Sequence, residues 1–344
     1  MQNSLPEFNW QVLALPDRHF YWRARSNAMT IAFSHRAELS DRFDLVIATS
    51  MVDLCTLRGF APHLAFVPTL LYFHENQFDY PVNQAGGSSS GNIINAQLTS
   101  IYAALCAERI LFNSEYNRAT FFDGAKNLLK RMPDGVPADL LKKAELCSSV
   151  LPVPIHTDET LGNGAVNDKV SGKAPEIVWN HRWEFDKQPL VFFTALEKLQ
   201  NAGVDFSLHV MGQSFRKVPE CFDQARVTLA DRISTWGHQP SDSYNQILRQ
   251  ADIVVSTALH DFQGLSMLEA IYRGCVPVAP NRVAYPEYIP PDLLYSCVGD
   301  EADSLYRCLL GVMSGPLPKP PQVSQYLSSV LIARYRNEIL NMTV

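Results

Sequence analysis

Short apolar runs recur along this chain, each followed by a longer stretch of helical character, and that alternation restricts the fold more than any other feature. WQVLALP, DLVIATS, AFVPTLLYF and RILFNS occupy the first half, and EIVWNH, DFSLHVMG, RISTWG, DIVVSTA and VPVAP the second. Strands that alternate with helices feed parallel sheets covered by helices. HTDETLGNGAVNDKVSGKAPE, residues 156–176, parts the two series; it is rich in Gly, Asn, Asp and Lys and lacks a hydrophobic period, which predicts an interdomain linker. The expected architecture is α/β, with one Rossmann-like domain over residues 1–155 and another over 177–322, facing a cleft. After the proline-rich GPLPKPPQ, the amphipathic VSQYLSSVLIARYRNEIL predicts a C-terminal helix within 323–344, packing across domains. A length of 344 residues, 47% of them hydrophobic, is enough for two cores.

Composition removes several classes of function. No apolar run approaches the roughly 20 residues of a membrane helix, and MQNSLPEFNW lacks the basic start and apolar core of a signal peptide. The seven cysteines are scattered and form no CxxC pair, which argues against a disulfide framework and a zinc site and fits a reducing cytoplasm. The net charge of −6 is uneven: residues 1–150 carry 13 Lys+Arg against 14 Asp+Glu, and residues 151–344 carry 16 against 21. A polyanionic partner is therefore expected to meet the first half.

In an open α/β sheet, ligands bind beyond the carboxyl ends of the strands, and the polar clusters of this chain fall there. Neither GxGxxG after an early strand nor GxxxxGK[ST] is present, so dehydrogenase and P-loop chemistry lack their phosphate loops. In WNHRWEFDKQP, Arg182 and Lys187 follow a strand and offer a guanidinium fork and an ammonium to a diphosphate, or else form a solvated turn. In HDFQGLSMLEAIYRGCVPVAP, Gly264 precedes a helical segment that begins at Leu265 and Ser266 and is closed by Gly274. Amides at such a helix start point at an anion. Asp261 and Glu269 flank that start, as acceptors for sugar hydroxyls or as local caps.

This stretch resembles the E-x7-E element of retaining GT-B glycosyltransferases of the family 4 type, with Asp261 in place of the first glutamate. The resemblance implies that Asp261 contacts the donor sugar, Glu269 the ribose, and Arg182 and Lys187 the diphosphate. ALPDRHFYWRAR, YFHENQFDYPV, NIINAQLTSIYAA and FNSEYNRATFF follow in the order seen in the glycosyltransferase-like family that includes the tRNA-queuosine α-mannosyltransferase. That family implies GDP-mannose as donor and, as acceptor, the cyclopentenediol of queuosine in the anticodon of tRNA(Asp). It also implies transfer with retention and without a metal or other cofactor, the leaving diphosphate taking the acceptor proton.

Within this frame His74 and Glu75 are expected at the reacting centre, His74 as a positioner, with Asn76 and Gln77 orienting sugar or diol. The same four residues can instead cap the strand and brace its loop. Arg18, Arg23 and Arg25 interleave with Phe20, Tyr21 and Trp22, which suits phosphate contact and stacking on unpaired bases, or a buried aromatic cluster with a wet basic edge. Lys126, Lys130, Arg131, Lys142 and Lys143 form a second basic run, and GGSSSG at 86–91 a loop able to close over an acceptor. The expected partners are a nucleotide sugar and tRNA, with no membrane, and the expected state is a monomer. Members of the family open with a strand and a glycine-containing loop ahead of the segment matching WQVLALP, so a first domain lacking its first strand is expected. The alternatives are a GT-B glycosyltransferase with another acceptor and a non-catalytic tRNA-binding protein, while a nucleotide-sugar epimerase, a different enzyme class, would leave ALPDRHFYWRAR without a task.

Overall fold

A computed structural model describes residues 1–16, 20–79, 90–155, 173–214 and 218–343. Backbone contacts divide the chain into two units, Met1–Pro154 with Ser329–Val344, and Ile155–Ser328.

The first unit holds helices α1 (Phe20–Ser34) and α2 (Arg36–Leu39), strand β1 (Val46–Thr49), α3 (Leu54–Phe60), β2 (Thr69–Phe73), α4 (Ser90–Cys106), β3 (Arg109–Phe112), α5 (Glu115–Leu129), α6 (Lys142–Leu146) and β4 (Ser148–Val150). Its four strands pair in parallel in the order β1-β2-β3-β4. The period of two along β2 explains why both sheet faces are covered. Leu71 and Phe73 enter a core with Ala103, Ala104, Phe121 and Phe122 of α4 and α5. Leu70 and Tyr72 enter another with Leu331, Tyr335 and Ile339. The latter three belong to the final helix of the chain, Ser328–Leu340. Its Tyr335 hydroxyl donates to Tyr72 at 2.9 Å, and Arg109 of β3 makes a bidentate pair with Glu338 at 2.7 Å on both arms.

The second unit runs β5 (Glu176–Asn180), α7 (Pro189–Asn201), β6 (Ser207–Met211), α8 (Cys221–Thr228), β7 (Ile233–Gly237), α9 (Ser241–Gln250), β8 (Ile253–Val255), α10 (Leu265–Tyr272), β9 (Val276–Pro280), β10 (Leu294–Tyr295) and α11 (Glu301–Met313); the final helix is α12. Its parallel sheet has the order β10-β9-β8-β5-β6-β7. β5 and β8 are adjacent in the middle of that order, so the loops leaving their C-terminal ends lie side by side.

Three expectations change. WQVLALP is not a strand: residues 9–16 have no regular structure, Val12 is 61% exposed, and Trp10, Leu13 and Leu15 pack as partly buried residues without ladder bonds. β4 and β10 were not anticipated, because three and two residues carry too little periodicity to register. The C-terminal helix starts only at Ser328 and not at the opening of VSQYLSSVLIARYRNEIL, and Ser329–Val344 group with the first unit. Of the expected linker, residues 156–172 lie outside the described residues, while Glu176 already opens β5.

Candidate active site

The β5 end is assembled by contacts with the loop after β8. A 3-10 turn at Phe185–Lys187 is held by three bonds: Leu259 N donates to the Asp186 carbonyl at 2.7 Å, Thr257 Oγ1 to the Lys187 carbonyl at 2.5 Å, and Lys187 Nζ to the His260 carbonyl at 2.5 Å. Gln188 then adopts φ 44°, and Pro189 starts α7. Lys187 is buried, with Asp186 Oδ2 at 3.4 Å from its ammonium. These carboxylate and carbonyl partners offset part of the cost of burying that ammonium.

Asp261 sits at the start of α10. Its Oδ1 accepts from Gly264 N at 2.8 Å and its Oδ2 from the Tyr285 hydroxyl at 2.9 Å. Burial alone would raise its pKa, but Lys187 and these two donors hold it below the usual carboxylate value. Gly264 has φ 76°, and a Cβ there would lie 2.3 Å from Tyr288 Oη and 2.9 Å from Tyr285 Cε1. Only glycine satisfies both the backbone and the space. Leu265 and Ser266 supply the first helical turn, whose amides form the positive end of α10.

Glu269, on the same helix, accepts from the Tyr244 hydroxyl at 3.1 Å. Asn180 Nδ2 donates to Tyr244 Oη and to the Ser266 carbonyl, both at 3.0 Å. Around them is a cavity of about 400 Å³ lined by Asn180, Gly212, His238, Tyr244, Glu269 and Arg273, among others. Gly212, at φ 147°, lies against the His181 carbonyl, which a Cβ would meet at 1.9 Å. Asn180 Oδ1, His181 Nε2 and Trp183 Nε1 are buried and have no hydrogen-bond partner among the described residues, so polar groups of a ligand or water can satisfy them. Burial, then Lys187, pushes His181 down to about 3 and His260 down to about 4, which keeps both rings neutral at pH 7.

Lys187, Asp261, Gly264, Leu265, Ser266 and Glu269 are thus gathered at the β5 and β8 ends. The Arg182 side chain is half exposed and paired with Glu184 at 3.2 Å. Neither Arg182, Lys187 nor Asp261 lines the cavity that Glu269 borders. The sequence analysis missed Asn180, His181, Gly212, Tyr244 and Tyr285. Gly212 had a signal, a glycine directly after a strand, whereas nothing near Tyr244 or Tyr285 announces a contact reaching across 25 residues.

In the first unit, His74 is exposed beyond β2, its ring 4.6 Å from that of Tyr72, and partial desolvation lowers its pKa. Its carbonyl accepts from Asn113 Nδ2 at 2.8 Å. Glu75 is half-buried, and its carbonyl accepts from Ser50 Oγ at 3.1 Å. Asn76 has another task than ligand contact. It is 1% exposed, donates to the Asn117 carbonyl, Asn117 Oδ1 and Thr120 Oγ1, and accepts from the amides of Phe78 and Asp79. Such a side chain is spent on shaping the loop. The Gln77 carbonyl accepts from Gln97 Nε2 at 3.0 Å, while its own amide nitrogen is buried with no partner among the described residues. Asn117 completes the lattice by donating to the Phe73 carbonyl and Asn113 Oδ1.

The basic and aromatic segment lies at the start of α1, where Trp22 is 80% exposed, Arg23 half-buried, and Arg25 is 3.7 Å from Asp53. Arg18 and the side chain of Tyr21 lie outside the described residues, as do residues 80–89 with most of GGSSSG. Among the described residues no set of three His, Cys, Asp or Glu side chains converges to hold a metal ion, and no helix is long and apolar enough to cross a membrane.

Residues 1–155 match the family described as tRNA-queuosine alpha-mannosyltransferase N-terminal, and residues 174–313 match glycosyl transferases group 1. The tRNA-queuosine alpha-mannosyltransferase of Drosophila melanogaster is 33% identical over 305 residues, which is 86% of this chain and 78% of that protein. The chain belongs to the tRNA-queuosine α-mannosyltransferase family. It is a glycosyltransferase, and its fold is GT-B. Among solved structures, an α,α-trehalose-phosphate synthase from Burkholderia xenovorans superposes with a TM-score of 0.65 at 15% identity, covering 96% of this chain and 79% of that one. Anabaena HepE in complex with UDP and glucose gives 0.62 at 14%, covering 95% and 84%. At such identities the likeness is one of fold alone.

Proposed function

We propose that this member of the tRNA-queuosine α-mannosyltransferase family moves mannose, with retention, from GDP-mannose to queuosine in the anticodon of tRNA(Asp). The observation that carries the acceptor is the match of residues 1–155 to the N-terminal part of that family, supported by 33% identity to a relative bearing its name. Lys187 and Arg182 would counter the diphosphate charge, Asp261 would accept a hydroxyl of the donor sugar, and Glu269 with its cavity would take the nucleoside. His74, and Glu75 beside it, would position the acceptor hydroxyl; Trp22, Arg23 and Arg25 on α1 would meet the tRNA, and Gln77 has an amide to offer it. No proton needs to pass to a protein base when the leaving diphosphate takes it, so the site works by charge stabilisation and positioning, without a metal, in a monomer.

The test is incubation with labelled GDP-mannose and total tRNA from cells with and without queuosine. Label is expected only in the queuosine-containing pool, on tRNA(Asp), and with EDTA present. Label in queuosine-free tRNA would exclude the diol as acceptor, and loss with EDTA rescued by Mg²⁺ would overturn the metal-independent mechanism.

A further inference from the structure

Away from the groups assigned above, two sulfur atoms meet. Cys55 is the second residue of α3 and Cys106 the last of α4. Both are free thiols, Cys55 exposed and Cys106 half-buried, and their Sγ atoms are 3.0 Å apart. They are 51 positions apart in sequence, so the fold and not local chain geometry brings them together.

The juxtaposition is fixed from both sides. Asp53 caps α3 through Thr56 N at 3.1 Å and Thr56 Oγ1 at 2.8 Å, which sets the turn that carries Cys55. Arg58, one turn further along α3, donates to the Cys106 carbonyl at 2.5 Å and to Thr69 Oγ1 at 2.8 Å, tying the end of α4 to α3 and to β2. Helices α1, α3 and α4 all pack on one another. The other cysteines lie in different settings: Cys275, for example, donates to the carbonyls of Leu248 and Ala251, and Cys147 to that of Ala144.

We propose that Cys55 and Cys106 form a paired dithiol that closes to an intramolecular disulfide when it meets a peroxide or a small-molecule disulfide. The sulfurs must approach by about 1 Å to reach the bond length of roughly 2.05 Å. With hydrogen peroxide, one thiol becomes a sulfenic acid as the O–O bond breaks and water leaves. The second sulfur then attacks the first, and the S–O bond breaks to release a second water. Two thiols thus lose two electrons and two protons, and one peroxide becomes two waters. With a disulfide oxidant, a mixed disulfide forms first and the second sulfur displaces the remaining small thiol. Partial desolvation and the adjacent Cys106 sulfur push the Cys55 thiol up to about 12. Its thiolate is therefore scarce at neutral pH, so closure is slow and calls for oxidant in excess. The bond would lock α3 to α4 beside α1, the helix that carries Trp22, Arg23 and Arg25.

The full chain is treated with excess hydrogen peroxide, and separately with oxidised glutathione, then alkylated and mapped by mass spectrometry. The expected result is an intramolecular Cys55–Cys106 peptide pair, an intact mass before alkylation lower by about 2 Da for the two hydrogens lost, and a fall in free thiols from seven to five. Dithiothreitol should reverse all three. Cys55→Ser and Cys106→Ser should each abolish the linked peptide while Cys147→Ser retains it, and the oxidised wild-type chain should unfold at higher denaturant than the reduced one. The mapping on unmutated protein stands even if a serine variant folds poorly. A bond between other cysteines, covalent dimers alone, or sulfinic acid at Cys55 without a linked pair would overturn the proposal.

Discussion

Replacing Asp261 separates its part in the fold from its part in transfer. Alanine leaves the Gly264 N–H without its acceptor at 2.8 Å, while the Tyr285 hydroxyl loses one partner at 2.9 Å but keeps Ser256 Oγ at 2.7 Å. Lys187 retains Asp186 and the His260 carbonyl. A hydrogen bond to a charged group contributes about 1.5–3 kcal/mol, and an orphaned buried donor costs on the order of 1–3 kcal/mol. Asp261→Ala should therefore lower stability by about 2–4 kcal/mol. Asparagine keeps one oxygen for Gly264 and presents an N–H to a Tyr285 hydroxyl turned toward Ser256, so Asp261→Asn should cost only about 1 kcal/mol. If the carboxylate acts on the donor sugar, that well-folded asparagine variant should still transfer sugar at least tenfold more slowly, equivalent to about 1.4 kcal/mol. Urea midpoints and initial rates with labelled donor measure both quantities. Equal stability losses in the two variants would refute this division of hydrogen bonds, and an asparagine variant with full activity would refute the sugar contact.

Three further outcomes are expected. Gly264→Ala places a Cβ against Tyr288 and Tyr285 at φ 76° and should destabilise by about 2–4 kcal/mol in urea unfolding, from backbone strain plus overpacking; a loss under 1 kcal/mol would contradict the crowding. Asn117→Ala removes the donor to the Phe73 carbonyl and Asn113 and an acceptor of Asn76, for about 2–4 kcal/mol, and should speed amide exchange at Phe78 and Asp79. His181 has a folded pKa of about 3, below the ordinary value near 6.5, so the unfolded chain binds more protons in the interval. Stability is then full above about pH 6.5 and falls toward pH 3, by roughly 2 kcal/mol between pH 6.5 and 5, and His181→Asn should flatten that slope.

How far the sequence could be read differs by element. TLLYF alternates between two apolar faces and is flanked by loops, so β2 was legible; WQVLALP carries the same residue types but never meets a ladder partner, which composition does not encode. Lys187 stands out in the sequence from its place after a strand, yet its burial follows from bonds to residues 257–260, some 70 positions away. Asn76 read as a free polar group because its partners, Asn117 and Thr120, lie 41 and 44 residues on. Glu269 stands out in the sequence near a helix start, whereas the cavity it borders needs Asn180 and Tyr244, brought together by the pairing of β5 with β8 and the packing of α9.

The grouping of Ser329–Val344 with Met1–Pro154 bears on how the chain is made. On a ribosome, the second unit is contiguous and can fold from its own residues, whereas the first has all four strands by Val150 and still lacks the helix that covers them. Leu70, Tyr72 and Leu111 have emerged long before Leu331, Tyr335 and Ile339 arrive to cover them. At about 5–20 residues per second, the interval between Pro154 and Ser329 lasts roughly 9–35 s. For that time the part of this apolar face that α12 covers stays open to solvent and to neighbouring nascent chains. A holdase is expected to bind ribosome-stalled chains ending between residues 155 and 328 through that face and to let go once α12 is out; equal binding before and after α12 would remove the argument. In vivo yield, on this view, depends less on the stability of the finished molecule than on the wait for its last helix.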